Sequence, residues 1–175
     1  GKYLTTEGND EESDCELCSV GKFSPDLGAS TDVCQVCGVG KYSDQLGNDE
    51  EADCVKCTAG KYSSSLGAAS SEFCLDCAAG TYAATDGNSN SSACIACPCG
   101  KYSTDEGASA LDACTNCIAG KYAPGVGNNQ EADCISCLAG KYSSSDGICV
   151  NECTDCVAGK FSTTTGNDEE TDCED

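Results

Sequence analysis

The stretch from Cys37 to Cys57 reads CGVGKYSDQLGNDEEADCVKC, and its pattern recurs along the whole chain. Each copy opens with Gly-Lys-aromatic or a close variant, continues to a second Gly, and closes with a Cys-x-x-Cys pair. Copies begin at residues 1, 21, 40, 60, 80, 100, 120, 140 and 159, which gives about nine repeats of 19 or 20 residues. A repeat this short cannot bury a core alone, so the pattern predicts an array in which repeats support one another.

Both ends of the sequence fall inside the repeat. Gly1 opens the first copy without a preceding Cys-x-x, and Cys173 lies one residue short of completing a Cys-x-x-Cys pair. We therefore expect residues 1–175 to be a continuous window of a longer array, with no linker or domain boundary inside it.

Composition argues against an ordinary globular domain and against several functions. Only 23 of the 175 residues are Leu, Ile, Val or Phe, and the net charge is −21. Such a chain would be disordered without another stabiliser, and its 19 cysteines supply one. Without His or Arg, acid–base catalysis and nucleic-acid binding are not expected. No apolar run is long enough to span a membrane.

Secondary structure is expected to be sparse. The Lys-aromatic-Ser segment favours a short β-strand, and the stretch leading to the second Gly favours a turn. No segment has the 3.6-residue apolar period of an amphipathic helix. We therefore predict a small disulfide-rich fold, an elongated tandem-repeat rod of about 20-residue units with short β-strands or hairpins and little or no helix, in which each repeat leans on its neighbours.

The Cys-x-x-Cys pairs have two interpretations. Their spacing falls within the pattern of tetrathiolate zinc sites, which need no His. The pairs nevertheless form an even series rather than sets of four, and every junction between repeats looks alike. Disulfides explain the series better if the second Cys of one pair bonds to the first Cys of the next, although sequence alone cannot fix the connectivity.

Each disulfide of this kind would close one loop around a Gly-Lys-aromatic segment. Closing a loop of that length stabilises a chain by about 3 kcal/mol in the chain-entropy model, which offsets the ordering entropy that a weak core cannot. The hypothesis pairs Cys18 with Cys34, Cys37 with Cys54, Cys57 with Cys74, Cys77 with Cys94, Cys97 with Cys114, Cys117 with Cys134, Cys137 with Cys153, and Cys156 with Cys173.

The run CGVGKYS at residues 37–43, with Gly47, Cys54 and Cys57, resembles the ephrin-receptor-like cysteine-rich repeat. It is also similar to the first loop of tumour-necrosis-factor-receptor modules. The resemblance covers the whole chain in about nine copies. It implies an extracellular rod of disulfide loops with the pairing given above. Most repeats have Ala before the first Gly, as in Ala59-Gly60, where that family often has Pro.

Three cysteines fall outside this pairing, namely Cys15, Cys99 and Cys149. We expect Cys15 to pair with a residue upstream of Gly1. Cys99 and Cys149 either bond to each other or link to another chain. We expect an interchain role for at least one of them, because an exposed lone thiol does not stay free in an oxidising compartment.

The residues after the second Gly alternate between two forms. Odd repeats carry Asn followed by acidic or polar residues, whereas repeats 2, 4 and 6 carry Ala. This alternation predicts a structural period of two repeats, with the Asn-acidic loops on one face. Their oxygen-rich side chains also give a calcium hypothesis, against which acidic runs are usually only solvated charge. The candidate calcium ligands are Asn48, Asp49, Glu50, Glu51 and Asp53.

Two other positions recur in almost every repeat. The aromatic ring is expected to pack on a neighbouring disulfide rather than to stack on sugars. The Lys either lies solvated on its strand or pairs with acids of an adjacent repeat or chain, and an exposed pair of that kind contributes about 0 to 1 kcal/mol.

Asn90-Ser91-Ser92 is the one Asn-x-Ser/Thr glycosylation sequon in the sequence. It lies in an odd repeat that lacks acids after its Asn, in a loop that is expected to be exposed. We expect a glycan on Asn90 if the chain is secreted.

These patterns together predict an extracellular or cell-surface structural protein, not an enzyme, that acts as a spacer, a scaffold, or a subunit of a filament or surface appendage. The expected partners are other protein chains through self-assembly, and no cofactor is expected apart from the calcium hypothesis. One alternative is a ligand-binding or adhesive receptor ectodomain, which predicts an exposed apolar patch at Ile148 and Val150. A second alternative is an intracellular zinc-binding array.

Overall fold

The computed structural model describes residues 1–4, 15–26, 29 and 31–175. Repeats 1 to 8 each contain a two-stranded antiparallel hairpin, and short 3-10 turns are the only helical elements in the part of the chain that the structure describes. The predicted tandem array of small, disulfide-rich hairpin repeats without α-helix is confirmed.

The first strand of each hairpin is the Lys-aromatic dipeptide, or Thr-Tyr in repeat 5, and the second strand lies between the two cysteines of a Cys-x-x-Cys pair. In chain order the strands are β1 Lys2–Tyr3, β2 Glu16–Leu17, β3 Lys22–Phe23, β4 Gln35–Val36, β5 Lys41–Tyr42, β6 Val55–Lys56, β7 Lys61–Tyr62, β8 Leu75–Asp76, β9 Thr81–Tyr82, β10 Ile95–Ala96, β11 Lys101–Tyr102, β12 Thr115–Asn116, β13 Lys121–Tyr122, β14 Ile135–Ser136, β15 Lys141–Tyr142 and β16 Thr154–Asp155.

All eight hairpins share one register. The aromatic residue lies opposite the first residue between the cysteines, and its preceding neighbour lies opposite the second, as Tyr42 does with Val55 and Lys41 with Lys56. In repeat 9 the same edge is a single antiparallel bridge between Phe161 and Glu174. The 3-10 turns precede the first Cys of a pair at Glu51–Asp53, Ser71–Phe73, Ser91–Ala93, Leu111–Ala113, Glu131–Asp133 and Glu170–Asp172.

The buried interior consists mainly of sulfur and small side chains. The largest fully buried side chains are cysteines and serines, including Cys37, Cys57 and Ser63. Phe23 packs in a buried cluster with the Cys37–Cys54 disulfide. Tyr102 likewise packs against the Cys117–Cys134 disulfide. In these two repeats the ring covers the disulfide of the following repeat, as the sequence predicted.

Contacts divide the chain into two compact units. One comprises Gly1–Asp76 with Thr85–Ala93, and the other comprises Cys77–Ala84 with Cys94–Asp175. The division falls inside the repeat pattern rather than at a change of sequence. The same kinds of backbone bond between repeats occur within each unit.

Candidate functional site

Disulfides fix the loop of each repeat. Nine disulfides join 18 of the 19 cysteines, all of which the structure describes. Eight of the nine are the pairs that the resemblance implies, and their Cα–Cα distances are 5.5 to 5.8 Å. A sulfur in a disulfide has no thiolate to offer a metal, so these cysteines do not form the tetrathiolate zinc sites of the second alternative.

The ninth disulfide joins Cys99 to Cys149, with their Cα atoms 4.8 Å apart. The expectation of an interchain role for one of these two residues is therefore wrong for this structure, because each sulfur is already bonded within the chain. Cys99 directly precedes the first Gly of repeat 6 and Cys149 follows the second Gly of repeat 8. The fold brings these glycines together, and the two cysteines beside them come within bonding range. Cys15 forms no disulfide with any described residue, and its pairing upstream stays a prediction.

Repeats separated by one intervening repeat are joined by a backbone hydrogen bond. The second Gly of a repeat donates its N–H to the carbonyl oxygen of the second Cys of the Cys-x-x-Cys pair two repeats earlier, at 2.7 to 2.8 Å. The first compact unit contains this bond from Gly47 to Cys18, from Gly67 to Cys37 and from Gly87 to Cys57, and the second contains it from Gly107 to Cys77, from Gly127 to Cys97, from Gly147 to Cys117 and from Gly166 to Cys137. Each repeat therefore leans not only on its neighbours, as expected, but also on the repeats two positions away.

This second-neighbour contact explains why Gly occupies the first position of the repeat. Gly40 has a φ of +76°, and a Cβ atom added there would lie 2.2 Å from the carbonyl oxygen of Gly87. Gly80 meets Gly127 in the same way at 2.3 Å. Only Gly combines the left-handed backbone conformation with so close an approach of two main chains.

Adjacent repeats are joined through the Ser that follows the aromatic residue. Ser63 donates its N–H to the carbonyl oxygen of Asn88 in the next repeat, and its own carbonyl oxygen accepts from the N–H of Gly40 in the preceding repeat. Tyr62 forms a parallel bridge with Asn88 at the same place. Ser63 is fully buried, so these backbone bonds are shielded from water.

In repeats 3, 5, 7 and 9 the Asn after the second Gly is a clamp between repeats rather than part of an exposed acidic loop. The side-chain nitrogen of Asn88 donates to the carbonyl oxygen of Lys61 in the preceding repeat at 3.0 Å, and Asn88 is only 8% exposed. Asn48, Asn128 and Asn167 make the same bond to Lys22, Lys101 and Lys141. Sequence reasoning missed this role, and the signal that could have revealed it is the alternation of Asn with Ala, a residue that is typically buried.

Repeats 2, 4 and 6 place Ala at the clamp position, and repeat 8 places Ile148 there. Ala68 is 2% exposed and Ala108 is 7% exposed, and neither has a side chain that can bond to the preceding repeat. The chemical period of the contacts between repeats is therefore two repeats, in agreement with the predicted alternation. That the acidic loops share one face stays a prediction.

The Lys residues that follow the first Gly of repeats 3, 4, 7, 8 and 9 pair with acids of their own repeat. Lys41 reaches Glu51 at 2.7 Å, and Lys61 reaches its cross-strand partner Asp76 at 2.6 Å. The expectation of pairing with an adjacent repeat is wrong at these positions, because the repeat brings an acid of its own to the Lys, from the 3-10 turn for Lys41 and from the opposite strand for Lys61. Lys121–Glu131, Lys141–Asp155 and Lys160–Asp175 are further pairs of this kind. The hydrogen bond from the Lys41 side chain lowers the pKa of Glu51. In repeat 1, the hydrogen bond between the side chains of Tyr3 and Glu16 raises the pKa of Tyr3.

Four of the five candidate calcium ligands, Asn48, Glu50, Glu51 and Asp53, use their side chains in bonds to other groups of the chain. The carboxylate of Asp53 accepts hydrogen bonds from the backbone nitrogens of Asp49 and Glu50, and the side chain of Glu50 completes this capping box. Glu51 bonds to Lys41, and Asn48 is a buried clamp. Within the described residues, no three His, Cys, Asp or Glu side chains are grouped to hold a metal ion. Calcium binding at this loop stays a prediction.

Repeat 8 does not present the apolar patch that a receptor ectodomain predicts at residues 148–150. Ile148 is half-buried at the clamp position, where it bridges to Tyr122, and only Val150 is exposed, at 53%. Elsewhere a groove of about 220 Å³ is lined by residues that include Tyr42, Lys56 and Ser71. That volume is below the roughly 300–1,000 Å³ of small-molecule sites.

No protein-family model matches the chain, and a search of curated proteins also gives no match. The likeness to ephrin-receptor-like repeats therefore stays a resemblance. Among the described residues, no helix has the length and apolar character needed to cross a bilayer. What the sequence and structure establish is the class of protein, a disulfide-rich tandem-repeat protein with one hairpin and one loop-closing disulfide per repeat.

Proposed function

We propose that this chain is an extracellular structural protein whose repeats serve as a spacer, a scaffold, or a subunit of a filament or surface appendage. Nine disulfides are typical of an oxidising, extracellular setting. The resemblance to ephrin-receptor-like repeats supports the same setting. The observation that carries the structural role is the second-neighbour bond, which recurs seven times with nearly identical length.

That recurrence supports a mechanical role, because the contacts that recur with the same geometry are those that join one repeat to another. A disulfide closes each loop, and two kinds of backbone bond then join the loop to the next repeat and to the one after it. Bonds that involve only main-chain atoms repeat unchanged whatever the surface side chains are. The predicted rod shape follows from this proposal and is open to direct measurement.

The proposed partners are other protein chains, including further copies of this one. The resemblance to ephrin-receptor-like repeats, which form arrays in large surface and matrix proteins, supports this proposal. The proposal includes no catalysis and requires no cofactor.

Two measurements on the native protein test the proposal. Thiols are blocked before lysis, and the intact mass is then compared before and after reduction; nine disulfides predict 18 additional hydrogen atoms. Antibodies against the chain are expected to label unpermeabilised cells or their medium. Free thiols among the 18 cysteines that form the nine disulfides, or labelling only after permeabilisation, would contradict the extracellular role.

A third measurement tests the structural role itself. Electron microscopy of the purified oxidised protein over a concentration series is expected to show particles whose length increases with the number of repeats, or filaments. Duplicating residues 60–99, which form one two-repeat period, serves as the matched comparison. Compact particles whose dimensions do not change in the duplicated variant would contradict the spacer and filament proposal.

A further inference from the structure

We propose that Asn90 carries an N-linked oligosaccharide and that the folded loop accepts this glycan without rearrangement. The proposal rests on the extracellular setting proposed above. The sequon supplies the acceptor motif. The structure shows which atom of the Asn90 side chain is hydrogen-bonded within the loop and which atom lies at the surface.

The fold uses the carbonyl oxygen of the Asn90 side chain. This oxygen accepts a hydrogen bond from the backbone nitrogen of Ser92 at 2.9 Å and another from the Ser92 hydroxyl. The side chain thereby caps the 3-10 turn Ser91–Ala93. An amide nitrogen that becomes attached to a sugar keeps its carbonyl oxygen, so glycosylation preserves this cap.

The side-chain nitrogen of Asn90 lies at the surface. Its hydrogen bond is to the Ser89 hydroxyl at 3.3 Å, and Asn90 belongs to the exposed residues. Asn88 provides the contrast two residues earlier, because its nitrogen is inserted between the carbonyl oxygens of Lys61 and Thr85. A glycan on Asn88 would disrupt the contact between repeats, whereas a glycan on Asn90 extends into solvent.

The loop of repeat 5 also differs from the corresponding loops in a way that suits a glycan. Repeats 3, 7 and 9 place Glu50, Gln130 and Glu169 at this position, each in a reciprocal capping box with an Asp three residues later. In repeat 5 that Asp is replaced by Ala93. Asn90 therefore caps its turn alone, and the reciprocal carboxylate beside the acceptor nitrogen is absent.

The transfer reaction joins the Asn90 side-chain nitrogen to the anomeric carbon of the first sugar. The co-reactant is a lipid-diphosphate-linked oligosaccharide of the secretory pathway. A nitrogen–carbon bond forms, the bond from that carbon to the diphosphate oxygen breaks with its electron pair, and the amide loses one proton. No oxidant or reductant is needed.

The test expresses residues 1–175 behind a cleavable secretion signal in a eukaryotic host. An amidase that removes N-glycans is applied in ¹⁸O water, which converts a glycosylated Asn to an ¹⁸O-labelled Asp. We expect increased gel mobility after treatment and the label at position 90 but not at position 88. N90Q and S92A are expected to lose the shift, S92T is expected to keep it, and N151Q serves as an exposed Asn control.

Two further comparisons make the result decisive. Q130N/A132S builds the same motif at the equivalent position of repeat 7, and a second mobility step is expected. The glycosylated chain is also expected to contain all nine disulfides, with a thermal midpoint like that of the enzyme-treated chain. Secreted wild-type chain with no label at position 90, while other sequons of the same host are occupied, would overturn the proposal, as would a glycan found only on material with free thiols. Because the secretion signal is supplied, either result leaves the proposed function to its own test on the native protein.

Discussion

The backbone nitrogen of Gly87 donates a hydrogen bond to the carbonyl oxygen of Cys57 at 2.7 Å, and Cys57 belongs to the repeat two positions earlier. Such a bond occurs for every two repeats that are separated by one other, from repeats 1 and 3 to repeats 7 and 9. Three consecutive repeats are therefore the smallest group that contains every type of contact between repeats. The contacts in this array extend beyond nearest neighbours, unlike the simplest description of repeat proteins.

Substituting Gly40 tests the close approach of main chains. G40A places a Cβ atom 2.2 Å from the carbonyl oxygen of Gly87 and requires an L-residue at a φ of +76°. We expect a loss of stability of about 2–3 kcal/mol, measured by amide hydrogen exchange at Gly87 and Ser63. G38A is the matched control, because nothing lies within 4 Å of the added atom. Equal effects of the two variants would refute this role of Gly40.

Replacing Asn88 tests the clamp between repeats. N88D keeps the shape of the side chain but turns the donor that bonds to Lys61 and Thr85 into an acceptor facing two carbonyl oxygens. We expect a loss of about 1–3 kcal/mol, larger than that of N88A, because Ala already occupies this position in repeats 2, 4 and 6. N151D adds the same charge at an exposed position and should change the thermal midpoint little. If N88D and N151D have the same thermal midpoint, the hydrogen bonds of the Asn88 side chain do not contribute to stability.

Removing the Cys99–Cys149 disulfide tests the intrachain pairing. The double variant C99A/C149A is expected to stay monomeric and to lose less than the roughly 4 kcal/mol expected for a simple loop of this separation, because the other disulfides already shorten the path between the two residues. The single variant C99A leaves Cys149 as a free thiol, so covalent dimers are expected on a non-reducing gel. Covalent dimers of the wild-type chain that disappear in C99A/C149A would instead support an interchain bond.

The Lys41–Glu51 pair predicts a pH-dependent contribution to stability. The pKa of Glu51 is lowered in the folded state by the hydrogen bond from Lys41, so the stabilisation is present above the unfolded pKa and is lost as the pH falls through the folded pKa. We expect E51Q to be less stable than E72Q at pH 7 and low salt, and both variants to melt alike near pH 3. E72Q is the control because it removes one exposed charge without breaking this pair. A difference that persists at low pH would show that the pair is not its cause.

The hairpins and the loop-closing disulfides could be predicted from the sequence because both depend on local spacing. Tyr42 favours a strand, and Cys37 and Cys54 are close enough along the chain to close a loop. Phe23 packs on the next disulfide as expected, since few other apolar groups are available to cover it. These features follow from the residues of one or two adjacent repeats.

The contacts between more distant repeats could not be predicted in the same way. The bond between Gly87 and Cys57 involves only main-chain atoms, which leave no side-chain signature in the sequence. Asn88 was grouped with exposed acidic loops because its neighbours in sequence are polar, although its own side chain is buried. The Cys99–Cys149 bond depends on this second-neighbour geometry, and the interchain expectation was wrong for the same reason.

The alternation of Asn and Ala at the clamp position also constrains how such a chain can change length in evolution. Gain or loss of a single repeat by unequal recombination would place two Asn repeats or two Ala repeats side by side, and the two-repeat period of the clamp position would be interrupted there. Exchange of a 40-residue segment such as 60–99 preserves every pairing. We therefore expect repeats to be gained or lost two at a time, so that alleles differ in length by even numbers of hairpins.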